Sequence, residues 1–340
     1  MNIAIDGLST LLGQAIADLI GERKLIQQPL ISIMHGDAQD LNKDDNDQLD
    51  SSPSLATENH FLQDINFSDL DLIFIADTQD HNRLTLNQAL EAGVRVIDCV
   101  GLCAEQRGVP LVVHDINSHE IRDLRLGFAI ALPSPAATML AQVLFPLTQF
   151  DTLERVSVCH FSPMSNLGKV GVEQLAGQTA RLLNGMPMKK KHSGSQLAFN
   201  LLPQCGAIGD TDYSDQETQL MRETKRLLND DTIVMNATCI QVPVFYAQAQ
   251  VVEISFAAAV DSRQIEILLK QSGLQVQAVA NASPAALTAS GEKDGLIVSR
   301  VRQNIDDERS LTLWCMADNL RRGAAVNAVQ VAEILIKSYL

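Results

Sequence analysis

Met1-Asn2-Ile3-Ala4-Ile5-Asp6-Gly7-Leu8-Ser9-Thr10-Leu11-Leu12-Gly13 opens the chain, and a helical pattern follows from Gln14 to Ile20. Asn2 to Asp6 is an apolar run of strand length, Gly7 to Gly13 is a turn, and the apolar residues after it recur at helical spacing. Strand, glycine turn and helix in this order open a dinucleotide fold, in which a phosphate rests against amides at the helix start. The same stretch in a plain strand-to-helix connection would bind nothing, so the turn alone is a weak signal.

Working outward, Pro29 to Met34, Leu70 to Ala76 and Val94 to Asp98 read as further buried strands. A helical stretch from Asn82 to Ala92 ends at Gly93. Strands alternating with helices imply a doubly wound parallel sheet. Between Met34 and Leu70, residues 36–60 carry Asp37, Asp40, Asp44, Asp45, Asp47 and Asp50 with almost no apolar periodicity, and read as a solvated loop. The spacing in Asp44 to Asp50 lacks the central glycine and closing glutamate of a calcium loop, so no metal site is expected there. Asp37 and Asp40, just after a strand, would repel a ribose 2′-phosphate; any dinucleotide bound is expected to be NAD.

Composition narrows the function classes. The 340 residues, 46% apolar, suffice for two ordinary cores. Forty-one acidic against 26 basic residues give a net charge of −15, which disfavours nucleic acid and anionic membrane surfaces. The six cysteines (Cys99, Cys103, Cys159, Cys205, Cys239, Cys315) are scattered without a zinc-type pair and read as reduced, mostly buried thiols. No apolar run approaches the ~20 residues of a membrane span, and the opening is a strand rather than a signal peptide, so a cytoplasmic protein is expected.

The other informative stretch is Ala131-Leu132-Pro133-Ser134-Pro135-Ala136-Ala137-Thr138. An apolar run from Phe128 to Leu132 breaks at two prolines and becomes a helix, with Met139, Leu140, Val143 and Leu144 on its apolar face. Such a turn aims backbone N–H groups and a helix dipole into a cleft, where an acyl-transfer enzyme places its nucleophile. Further on, alternating runs near 154–161, 250–257 and 311–316 read as an antiparallel sheet. The last helical pattern, Gly323 to Ile336, should pack back on the first domain.

These segments together make the chain similar to the aspartate-semialdehyde dehydrogenase family. The resemblance is carried by the opening turn, by Val109 to Asn117, Ala198 to Gln204, Val242-Pro243-Val244 and Ser299 to Arg302, and most specifically by Asp318-Asn319-Leu320-Arg321-Arg322-Gly323-Ala324-Ala325-Val326-Asn327-Ala328. It implies a Rossmann-type doubly wound sheet plus an α+β dimerisation domain with a mostly antiparallel sheet. The first domain is expected over 1–131 and 320–340, the second over 132–319. A homodimer follows, with NAD at Gly7, Ser9, Thr10, Leu11, Leu12, Gly13 and, near the nicotinamide amide, Asn327.

The family's chemistry needs a cysteine, a histidine and arginines, and the matching positions hold other residues. Pro135 stands at the cysteine, with Ser134 and Thr138 nearby but no evident activating partner for either hydroxyl. Gln248 stands at the proton-handling histidine, Gln241 and Ala104 at arginines, Ser162 at an orienting glutamine and Gln219 at a substrate-binding lysine, whereas Glu217 keeps a substrate-binding glutamate. Thr10 replaces the middle glycine of the family's turn, and its β-branch would hinder close approach of a pyrophosphate. His160 reads as a hydrogen-bonded structural histidine, and His192 follows the basic run Lys189 to Lys191 in a surface connection. The expectation is a catalytically silent family member, with no catalytic residue and a possible protein partner. The competing reading is an active NAD(P)-dependent oxidoreductase in amino-acid biosynthesis, acting on an aldehyde or oxo group with altered chemistry, Ser134 or a distant cysteine supplying the nucleophile.

Overall fold

The computed structural model describes residues 1–35, 55–121, 129–187, 195–277 and 295–339. The expected acidic loop lies mostly outside these residues, as do the calcium-like spacing, Phe128, the basic run and His192. The described chain forms two compact units: Met1–Pro133 with Ala324–Leu340, and Ser134–Gly323.

In the first unit, β1 (Ile3–Asp6), β2 (Leu30–Met34), β3 (Thr57–Phe61), β4 (Leu72–Ile75), β5 (Arg95–Asp98) and β6 (Ala129–Ala131) form one sheet, all pairs parallel, in the order β3-β2-β1-β4-β5-β6. This is the order of a dinucleotide-binding sheet, and its switch point lies between β1 and β4. The strands β1 and β4 are buried at every position, as strands covered on both faces must be. Helices α1 (Leu11–Arg23), α2 (Asp80–Glu91) and the short α3 (His114–Asn117) accompany the sheet. The strand β3 corrects the loop expected over 36–60: Thr57-Glu58-Asn59-His60-Phe61 is polar, yet as an edge strand it needs only backbone bonds to β2.

The second unit begins with α4 (Pro135–Thr148) and contains β7 (Leu153–Ser162), α5 (Gly168–Leu183), α6 (Asp215–Leu228), β8 (Val234–Gln241), β9 (Gln248–Phe256), α7 (Ser262–Gln271), β10 (Gln275–Gln277), β11 (Ile297–Gln303) and β12 (Ser310–Ala317). Its sheet, ordered β10-β11-β12-β9-β7-β8, is mixed. The three central pairs are antiparallel, whereas β7 with β8 and β10 with β11 run parallel. One face of this sheet, through Val156, Val158, Val252, Ile254, Leu311 and Leu313, joins Leu140, Val143 and Leu144 of α4 and Leu220 of α6 in a single core.

The last helix, α8 (Val326–Tyr339), belongs to the first unit. Its Val329, Ala332 and Leu335 share a core with Ile16 and Ile20 of α1 and with Ile3 and Ile5 of β1, as the sequence pattern leads one to expect. A π-helical turn, Arg321–Ala325, precedes it.

Candidate functional site

The first unit places its glycine turn at the switch point. Gly7 has φ +92°, and a Cβ there would lie 2.9 Å from Asp77 Cβ, so only glycine fits between the ends of β1 and β4. A Cβ on Gly13 would stand 2.2 Å from the Gly7 carbonyl oxygen, which marks a close strand-to-helix approach. Thr10 is built into the turn through its own hydroxyl. At φ −76° its β-branch is unstrained, the helix starts directly after it, and its hydroxyl caps α1 by accepting from Gly13 N at 2.9 Å. The same hydroxyl lies 2.8 Å from the Gly7 carbonyl and 3.0 Å from that of Ala76, tying the turn to the end of β4. Leu11 and Leu12, the first two helical residues, carry amides that helix geometry leaves without an intrahelical acceptor. Ser9 is exposed beside them.

Two further groups border this turn's end of the sheet. Asp6 is fully buried, and its Oδ1 lies 2.7 Å from His35 Nε2 while its Oδ2 has no partner; His35 in turn stacks on His81 with ring centroids 3.9 Å apart. Asn327 accepts from His114 N at 2.8 Å and donates to the Val112 carbonyl at 2.9 Å, so both ends of its amide hold the 112–114 backbone to α8.

In the second unit the start of α4 is built around Ser134. Its hydroxyl caps the helix, accepting from Ala137 N at 3.3 Å, and Pro135 at the first helical position carries no N–H to leave unsatisfied. Contrary to expectation, this hydroxyl has a partner suited to activating it. It donates to Glu223 Oε2 of α6 at 2.6 Å, and Ser134 N donates to the same oxygen at 2.8 Å. Gln219, one turn earlier on α6, donates to Glu223 Oε1 at 2.8 Å. The Glu223 carboxyl is buried, and burial pushes its pKa above the ordinary value against the lowering effect of these hydrogen bonds. The pairing was not legible in the sequence, because Ser134 and Glu223 lie far apart along the chain; its only trace is the i, i+4 placement of Gln219 and Glu223 on one helix face.

The remaining positions matched to family roles serve the frame. Glu217 accepts from Ser214 N and from Cys239 N, each at 2.8 Å, so its carboxylate holds the start of α6 against β8. Gln241 donates to the Ser162 carbonyl at 2.9 Å and touches Met164 Sδ at 3.3 Å. Gln248, fully buried on β9, donates to the Pro135 carbonyl at 2.7 Å, and Gln250 donates to that of Ala136 at 3.0 Å, so β9 pins the first turn of α4. His160 is buried with Nδ1 3.4 Å from Gln250 Nε2 and no partner for Nε2; burial lowers its pKa to about 4. Cys103 and Cys159 are no substitutes for a nucleophile: burial raises both thiol pKa values, and Asp98 raises that of Cys103 further. Among the described residues, no cluster of His, Cys, Asp or Glu is placed to hold a metal ion, and no helix is long and apolar enough to cross a membrane.

Comparison with known proteins places this architecture. The semialdehyde dehydrogenase dimerisation domain matches residues 144–322. Aspartate-semialdehyde dehydrogenase 2 of Vibrio cholerae serotype O1 is 38% identical over 252 residues, 74% of each chain. A USG-1 protein homolog of Pseudomonas aeruginosa is 31% identical over 343 residues, covering 100% of this chain and 99% of its own. The crystal structure of aspartate semialdehyde dehydrogenase II from Vibrio cholerae complexed with ASA superposes with a TM-score of 0.91 at 30% identity, over 100% of this chain and 99% of that one.

These likenesses overturn the expectation of catalytic silence, since the Vibrio proteins are named as dehydrogenases and one is solved with ASA. That expectation rested on the replacement of the family's cysteine, histidine, arginines, orienting glutamine and substrate-binding lysine at the matched positions, whereas at the start of α4 the Ser134 hydroxyl is in hydrogen-bond contact with the buried carboxylate of Glu223 on α6. The chain belongs to the aspartate-semialdehyde dehydrogenase family.

Proposed function

We propose that this protein is an NAD(P)-dependent oxidoreductase acting on an aldehyde or oxo group, working as a homodimer in amino-acid biosynthesis in the cytoplasm. The observation that carries the reading is the switch-point turn: Gly7 and Gly13 are sites where a side chain would collide with backbone or a neighbouring residue, and Thr10 caps the helix that begins there. Such a turn lets a pyrophosphate approach the backbone at a helix start. In this reading Gly7, Ser9, Thr10, Leu11, Leu12 and Gly13 hold the dinucleotide, the amides of Leu11 and Leu12 facing its phosphates. Asn327 fixes the 112–114 segment beside the nicotinamide. Asp37 and Asp40 favour NAD over NADP by repelling a 2′-phosphate.

When bound, the nicotinamide accepts or supplies a hydride. The chain's own residues orient the reacting group: β9 holds the first turn of α4 through Gln248 and Gln250, and α6 offers a buried carboxylate there. Calorimetric titration of the purified protein with NAD and NADP tests the reading. Saturable binding of NAD, tighter than NADP and lost in Gly13→Val, is expected; no heat from either dinucleotide would refute it.

A further inference from the structure

We propose that Ser134 is a nucleophile that adds to the carbonyl carbon of an aldehyde, with Glu223 as the base that takes its proton and Gln219 as the residue that positions Glu223. The choice of an aldehyde as electrophile rests on the oxidoreductase reading above; the nucleophile itself rests on geometry. The 2.6 Å separation between Ser134 Oγ and Glu223 Oε2 is that of a charge-assisted O–H···O⁻ bond. Gln219 Nε2, 2.8 Å from the other oxygen, fixes the plane of the carboxylate, so nucleophile, base and orienting group stand in an unbroken chain. Glu223 is buried while Ser134 is half-buried, so the hydroxyl is the more accessible member of the pair. Burial also raises the carboxyl's pKa, which moves a weak base toward the range useful near neutral pH.

In the step, the Ser134 hydroxyl proton passes to Glu223 Oε2 as Oγ bonds to the carbonyl carbon. The carbonyl π pair moves onto its oxygen, which then takes the proton back, leaving a neutral hemiacetal on Ser134. No oxidant or reductant is consumed. The Ala136 amide, near the helix start and without an intrahelical acceptor, is a donor suited to the transient oxyanion. Ser134 N donates to the same carboxylate oxygen at 2.8 Å, so Glu223 holds the loop through a bond that does not involve the hydroxyl.

The test is covalent labelling of the purified full chain with a fluorophosphonate, followed by intact and peptide mass spectrometry. One adduct is expected, on Ser134, and none in Ser134→Ala. Labelling should slow by about 100-fold or more in Glu223→Gln. The wild-type rate should rise with pH as Glu223 loses its proton, and the Glu223→Gln rate should be flat over the same range. Circular dichroism confirms folding of each variant, and Glu223→Asp, labelling at an intermediate rate, serves if Glu223→Gln is unfolded. An unlabelled wild type, or Ser134→Ala or Glu223→Gln labelling at the wild-type rate, overturns the proposal. Labelling needs no dinucleotide, so its failure beside intact NAD binding removes the nucleophile alone. Labelling without any dinucleotide binding removes the oxidoreductase reading alone.

Discussion

Gly13 has no side chain because the Gly7 carbonyl oxygen occupies the space where one would begin, 2.2 Å from an ideal Cβ. The obstacle is backbone and cannot rotate away, so Gly13→Ala should destabilise the protein by about 1–3 kcal/mol, read as a lower urea midpoint at unchanged slope. A second residue sets a pH dependence. His160, buried with its pKa lowered to about 4 from 6.5, binds its proton less readily when folded than when unfolded. Its contribution to stability is therefore complete above about pH 6.5 and is lost as pH falls toward 4, a difference of about 3 kcal/mol. Urea midpoints of wild type and His160→Phe, compared at pH 7.5 and pH 5, should converge or cross as the pH falls; a constant gap would contradict this origin. The sequence foresaw a structural histidine, but its single long contact to Gln250 was beyond reach, since that partner sits on another strand, β9.

Helix starts decide how these residues are presented. Thr10 and Ser134 each cap the helix that follows, and Ser214 does the same for α6 within a capping box completed by Glu217. Ser214→Ala should cost about 1 kcal/mol, measurable by urea denaturation, because it removes the acceptor for Glu217 N. Most elements were legible in the sequence because their apolar periods are regular: β1, β4 and β5 as continuous runs, α4 by its spaced Met139, Leu140, Val143 and Leu144. Pattern and structure differ where a residue's part in the fold is not apolar burial. Apolar spacing starts α1 at Gln14, whereas the helix begins at Leu11, because the Thr10 hydroxyl caps it and a cap adds no apolar period. The strand β3 is hidden from the pattern because an edge strand with a polar sequence shows no apolar period. Pro135 carries no thiol, and at the first helical position its fixed φ suits the helix.

At the scale of the molecule, the chain leaves the first unit at Pro133 and returns to it at Ala324, so each unit is built around its own core. The family's dimerisation domain spans residues 144–322, and sedimentation equilibrium should give twice the chain mass. A monomer at micromolar concentration would count against the proposed dimer. Legibility at this scale came from order along the sequence: strand, glycine turn and helix at one end, and a matching helix at the other. What stayed hidden was the pairing of distant residues that supplies chemistry, Ser134 with Glu223 above all. Oxidoreductase activity through Ser134 is read most directly by nicotinamide absorbance during incubation of the purified protein with NAD or NADP, phosphate and a panel of small aldehydes, aspartate semialdehyde included, beside Ser134→Ala. Aldehyde-dependent reduction of the dinucleotide by the wild type is expected, with a rate slower by about 100-fold or more in the variant. No turnover with any aldehyde, or turnover untouched by Ser134→Ala, would contradict it.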